Sequence, residues 1–178
     1  MKKMNELQKL LLAVSLTSIS VVIDVLIKYV IPIETFGLPF YAIPIVIGSI
    51  VLGPIYGVMM ALIGDSLGVM MSGYGYLFLY SLAAVSWGVI PSLIVRNKYH
   101  FIKLAVGVFI AYICASLSNT FANFYYFGEV TAYATLFIRL ALIIPNSVVI
   151  ILMVHFLYQR LYAIFPTYLA IGQLDNTH

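Results

Sequence analysis

Apolar runs about as long as a bilayer is thick leave a polypeptide few options. Hydrocarbon offers no partner to backbone N–H and C=O groups, so only helices and closed barrels, which satisfy every group internally, can span it. This chain has such runs almost from end to end. Hydrophobic residues make up 63% of its 178 residues and charged ones only 8%, against about a quarter charged in an ordinary soluble domain. A spanning helix takes about 20 apolar residues, and the length is therefore expected to hold six spans in one integral-membrane domain, residues 1–178. Their boundaries read as residues 7–30, 39–52, 54–71, 77–95, 104–127 and 131–162. The expected fold class is all-α, a polytopic six-helix bundle, and any energy-coupling or enzymatic module is expected on another chain.

One stretch breaks the helical rhythm. Residues 32–57, PIETFGLPFYAIPIVIGSIVLGPIYG, crowd prolines, glycines and a carboxylate between apolar segments. The backbone groups released there need protein or trapped water as partners, so the stretch is expected to line a packed cavity rather than face lipid. Gly53-Pro54 divides the second span from the third. Gly53 with Gly57, and Gly64 with Gly68, repeat at four-residue spacing and leave a smooth strip for a neighbouring helix. Residues 72–76, SGYGY, read as a loop, and Pro145 as a kink in the last span. The basic start followed by an apolar run also resembles the opening of a signal peptide. That run continues past Asp24 and Lys28 to about residue 31 without a small-residue cleavage site, so a retained first span is expected.

The placement of cations sets the expected orientation. Lys2, Lys3 and Lys9 precede span one, Arg96, Lys98 and Lys103 fall between spans four and five, and Arg160 ends span six. Six spans put all three groups on one side, which the positive-inside rule makes cytoplasmic, with both termini there. The net charge of +3 thus reports topology; no basic stripe interleaved with aromatics points to nucleic acid. Cys114 is the single cysteine, which excludes an intrachain disulfide and a cysteine metal cluster. His100 and His155 have no companion at metal-ligand spacing, and no phosphate-binding glycine loop or Ser-His pair emerges, so neither an enzyme nor a metal protein is expected.

Polar groups inside apolar spans need a reason, since a charge at the bilayer centre costs on the order of 3 kcal/mol or more. Asp24 and Lys28, four residues apart, can pair on one helical face. Asp65 reads equally as a structural carboxylate reaching Lys28 or Arg139 and as a ligand group. Asn119 and Asn123 present two amides on one face, suited to the edge of a heteroaromatic ring or to bridging helices. Arg139 has no carboxylate on its own span and must reach Asp65, Asp24, backbone carbonyls or a ligand anion. Aromatics including Phe36, Tyr41, Tyr74, Tyr76 and Tyr80 lie at the same outer level. They read as an outward pocket for a flat ligand or as an interfacial belt.

The motifs also resemble those of a known family. The segments IPIETFGLPFYAIPIVIGSIVLGPIYGVMMALIGDSLG, GYGYLFLYSLAAVSWG and SNTFANFYYFG, with FIRLALIIPN after them, occur in the order seen in the folate-type substrate-binding (S) components of energy-coupling factor (ECF) vitamin transporters. Over residues 10–162 the chain resembles that group of six-span proteins. The resemblance implies a binding subunit without its own cofactor, working in the cell membrane with a transmembrane coupling subunit and two cytoplasmic ATPases that use ATP. It implies a vitamin site under a first loop, residues 33–40, and a second gate, residues 72–76. The site residues would be Glu34, Phe36, Tyr41, Tyr74, Tyr76, Tyr80, Asn119, Asn123 and Arg139.

Two departures shape the substrate expectation. The Ala-x-x-x-Ala pattern by which family members dock their coupling subunit is here Ala13 with Thr17. The basic residue that folate-type members carry shortly after loop one is replaced by the run Leu38-Pro39-Phe40-Tyr41. A less acidic heteroaromatic, such as a hydroxymethylpyrimidine or pyridoxine, then fits at least as well as folate, and pantothenate enters through Arg139. The reading from another class is a structural or assembly subunit of a membrane complex, whose polar groups only hold helices together.

Overall fold

The structure, a computed structural model, describes residues 4–30, 38–73, 75–95 and 99–164. They form six helices: α1 (Glu6–Val30), α2 (Ala42–Leu52), α3 (Pro54–Ser72), α4 (Phe78–Val95), α5 (Phe101–Phe127) and α6 (Glu129–Ile164). Five are long and apolar enough to cross a membrane. Their outward faces carry large apolar side chains such as Leu11, Val22, Ile55, Leu117 and Phe137. On a soluble protein so much exposed apolar surface would drive association; lipid requires it. The protein is an all-α polytopic membrane bundle, with helix limits within a few residues of those the sequence implies.

The chain runs up and down between two ends. At the starting end, the Tyr56 hydroxyl of α3 donates to Glu6 of α1 at 3.0 Å. There too Tyr99, between α4 and α5, stacks on Tyr158 of α6 with ring centroids 3.9 Å apart and meets His155 Nδ1 at 2.8 Å. At the far end α5 passes into α6 through Gly128 alone, whose φ of 85° only glycine adopts without strain.

The second helix lies at the centre and is the shortest. With 11 residues it is about 16 Å long, roughly half of a ~30 Å hydrocarbon core. It packs against α1, α3, α4 and α6, and every residue from Ala42 to Val51 is buried. Its start is tied down by Ser20, whose hydroxyl donates to the Tyr41 carbonyl at 2.7 Å. Ser20 lies roughly 21 Å along α1 from Glu6 at 1.5 Å per residue. The short helix therefore begins about midway along the bundle and descends to the starting end. The sequence implies a helix from residue 39, but Pro39 and Phe40 instead form a turn whose carbonyls accept from the N–H groups of Ala42 (3.0 Å) and Ile43 (3.1 Å).

Small residues let the helices close on this centre. A Cβ added at Gly57 would overlap the Gly88 carbonyl and sit 2.6 Å from Ser49 Cβ, so the backbones of α3 and α4 touch at that level and Ser49 of α2 closes against them. The glycine strip of α3 is split between neighbours: Gly64 faces Thr17 and Ser20 of α1, and Gly68 lies flush against Asp24. Trp87 of α4 meets Tyr112 of α5 edge-on at 5.7 Å, filling the core beside Ile45, Ile150 and Val154. Both α4 and α6 remain helical through Pro91 and Pro145; Gly107 of α5 lies directly against Pro91.

Replacing Gly57 by leucine should lower stability by about 1–3 kcal/mol or more through overpacking, read as a lower melting temperature of the detergent-purified chain. Gly75, where an added Cβ meets nothing within 4 Å, should accept alanine without change.

Candidate substrate-binding site

The midway start of α2 gives the site its position. Beyond Tyr41 the bundle axis continues toward the far end, where polar side chains of α1, α3, α4, α5 and α6 converge. Tyr41 is the common neighbour, lying within electrostatic reach of Asp65, Asp24, Tyr112 and Arg139. The N-terminus of α2 presents no spare donor: the Ala42 and Ile43 N–H groups are bonded in the turn, and Pro44 has none.

One side of Tyr41 is acidic. Lys28 Nζ and Asp24 Oδ2 are 2.6 Å apart, the pairing their spacing implies. Asp65 takes a different partner from the expected cation. Its Oδ2 accepts from the Ser81 hydroxyl at 2.6 Å, and Ser81 Oγ lies 2.6 Å from the Tyr76 hydroxyl. Ser81 faces Asp65 directly from α4, whereas Asp24 already holds Lys28. The carboxylate of Asp65 therefore stitches α3 to α4 through a hydroxyl instead of forming an ion pair.

The other side is built from amides and phenols. Tyr80 donates its hydroxyl to Asn123 Oδ1, and Asn123 Nδ2 donates to Thr135 Oγ1 at 2.7 Å, which links α4, α5 and α6. The Tyr80 ring stacks on Tyr126 at 6.3 Å. Closer to the middle, Asn146 Nδ2 donates to the Tyr112 hydroxyl at 2.9 Å. Asn119 sits half-buried one turn along α5 from Asn123. Ser81, Tyr112 and Thr135 were not singled out by the sequence. The signal for Tyr112 was present: Tyr112, Ser116, Asn119 and Asn123 recur at helical spacing on one face of α5, and three of the four are buried.

Arg139 occupies the gap between these two amide layers, one turn from Thr135 and about two from Asn146 along α6. Its Nη1 atom is buried and has no hydrogen-bond partner. Among the described residues, the groups in its electrostatic reach are the phenols of Tyr80, Tyr112 and Tyr41, with no carboxylate among them. Buried donors are nearly always satisfied, and among the described residues Arg139 Nη1 and Ser147 Oγ are the two buried side-chain atoms without a hydrogen-bond partner; Arg139, half-buried as a whole, is the charged one.

Glu34, Phe36 and Tyr74 lie outside the described residues. Tyr41, Tyr76, Tyr80, Asn123 and Arg139 gather as above. Ala13 and Thr17 require a correction. Both are turned into the bundle, 6% and 7% exposed, with Thr17 against Gly64 of α3 and its hydroxyl on the Ala13 carbonyl at 2.8 Å. Their small side chains admit α3, so they are not an open docking face. Among the described residues no group of three or more His, Cys, Asp or Glu side chains could hold a metal ion. No protein-family model, curated protein or solved structure matches this chain.

Asp24→Asn should strand Lys28 and cost about 1–3 kcal/mol, less than the about 3–5 of a fully buried pair, since both side chains keep some exposure. The double variant Asp24→Asn/Lys28→Met should recover most of that loss in the melting temperature.

Proposed function

We propose that this chain is the substrate-capturing membrane subunit of an ECF-type importer. It takes up a B vitamin or precursor at the outer face, a small heteroaromatic such as a hydroxymethylpyrimidine or pyridoxine, or folate, with pantothenate as the alternative substrate. A coupling subunit and two ATP-hydrolysing partners then move the ligand inward. The observation that carries this reading is the convergence around Tyr41 of polar and aromatic side chains from five helices, at the end of the bundle that α2 does not reach. Stacked rings, amides and a half-buried cation are the elements of a small-molecule site.

The charge distribution supports outward access. Lys9, Lys103 and Arg160 lie on segments at the starting end, which the positive-inside rule places in the cytoplasm. Docking of a coupling subunit would use the lipid-facing side of α1, where Leu11, Val14 and Val22 are exposed, in place of the buried Ala13 and Thr17.

A second reading also has an observation in its favour. The Asp24–Lys28 pair and the Tyr80–Asn123–Thr135 and Tyr112–Asn146 links hold helices to one another, as a purely structural subunit would require. Binding separates the two. Titrated with a panel of B vitamins and their precursors, the purified chain should bind at least one, and native purification should bring a coupling protein and two ATPases. A folded chain that binds none of the panel and copurifies with unrelated membrane proteins is the structural subunit.

A further inference from the structure

We infer that the captured solute is an organic acid whose carboxylate is received by Arg139. The inference rests on the capture reading above and names the substrate class for the same site, the class of the alternative substrate pantothenate in place of the neutral heteroaromatics and the dicarboxylate folate. Arg139 is half-buried as a whole, its guanidinium does not neutralise by losing its proton, and its buried Nη1, which has no hydrogen-bond partner, is suited to an anion. The described carboxylates are committed elsewhere. Asp24 holds Lys28 at 2.6 Å. Asp65 accepts from Ser81, and its charged neighbours are Lys28 and Asp24. Glu6 is at the opposite end with Lys9 and Tyr56. Glu129 is exposed ten residues before Arg139 on the same helix, roughly 15 Å away along its axis.

What surrounds Arg139 suits an anion. Its neighbours are the uncharged phenols of Tyr41, Tyr80 and Tyr112, of which Tyr80 already gives its proton to Asn123. Because the Tyr112 oxygen accepts from Asn146, its own proton remains to be given. The positive end of the α2 dipole lies at Tyr41, and since its N–H groups are already bonded, the anion's hydrogen bonds fall to Arg139 and the other two phenols. Across Tyr41 lie Asp24 and Asp65, and because Lys28 pairs with Asp24, Asp65 is the carboxylate of that wall without a cation partner. That wall repels a second carboxylate and accepts from hydroxyl or N–H groups. The ligand is therefore a monocarboxylic acid with hydrogen-bond donors at its other end.

The test uses the full-length chain in detergent and matched acid/neutral pairs as probes: pantothenate with panthenol, nicotinate with nicotinamide, and biotin with its primary amide. Calorimetric titration should find an acid that binds at least about tenfold more tightly than its neutral partner. Arg139→Gln should weaken that acid by about 10- to 100-fold and leave the neutral partner unchanged, while Arg139→Lys keeps part of the preference. Because Arg139 Nη1 makes no hydrogen bond to the described residues, Arg139→Met should melt no lower than the parent without added ligand, unlike a residue with a structural role. A neutral partner binding as tightly as its acid, or a preference surviving in Arg139→Gln, overturns the inference and leaves capture standing. No binding by any vitamin of the wider panel removes both. A phospholipid that comigrates with the parent and not with Arg139→Gln, without acid preference, identifies a lipid headgroup as the anion and overturns it. Equal destabilisation by Arg139→Met, Glu34→Gln and the double variant identifies Glu34 as the counter-ion, with the same consequence.

Discussion

The hydrogen bond from Ser20 to the Tyr41 carbonyl marks the level at which this bundle changes character. Below it, toward the starting end, α2 fills the axis with Ile45, Val46 and Ile50, and the neighbouring helices close on it through Gly57 and Gly88. Apolar packing dominates there. Above it the axis belongs to side chains from five different helices, and polar contacts take over. A helix of full span length would have carried the apolar core through both halves. By stopping α2 short, the Pro39–Tyr41 turn leaves the far half to hydroxyls, amides and charges.

In a medium without water each of those groups must be answered by another, and most are. Lys28 answers Asp24, Ser81 answers Asp65, and Asn123 stands between Tyr80 and Thr135. These links cost nothing in unsatisfied polarity and hold the helices that surround the site in register. Arg139 Nη1 departs from that economy. Among the described residues it shares that state with Ser147 Oγ, and of the two only Arg139 carries a charge, which under the proposal above an anion from outside the chain would answer.

Much of this was legible in the residues. Long apolar runs imposed helices, Gly53-Pro54 imposed a break, and the four-residue spacing of Asp24 and Lys28 imposed their pairing. Positive-inside bias and helix count agreed with each other. The partner of Asp65 was not legible, because a carboxylate four helices deep in possible contacts can meet a cation or a hydroxyl, and only the facing of α3 and α4 selects Ser81. Nor was the burial of Ala13 and Thr17: small residues on a span serve equally to admit a neighbour of the same chain or of another, and here Gly64 of α3 takes the place. Tyr112 escaped notice because a tyrosine in a span reads as an interfacial anchor until Asn146 is seen opposite it.

By itself, then, the sequence determined that the chain is an all-α membrane bundle, roughly where its helices lie, and which residues carry polarity into the apolar mass. These follow from local composition and from the hydrocarbon's refusal to hydrogen-bond. Only the tertiary structure decided where α2 starts and how deep it reaches, which polar groups answer one another, and that Arg139 Nη1 and Ser147 Oγ are left without a partner among the described residues. Those outcomes depend on the rotation and level of helices far apart in the chain, which close packing sets and local spacing does not.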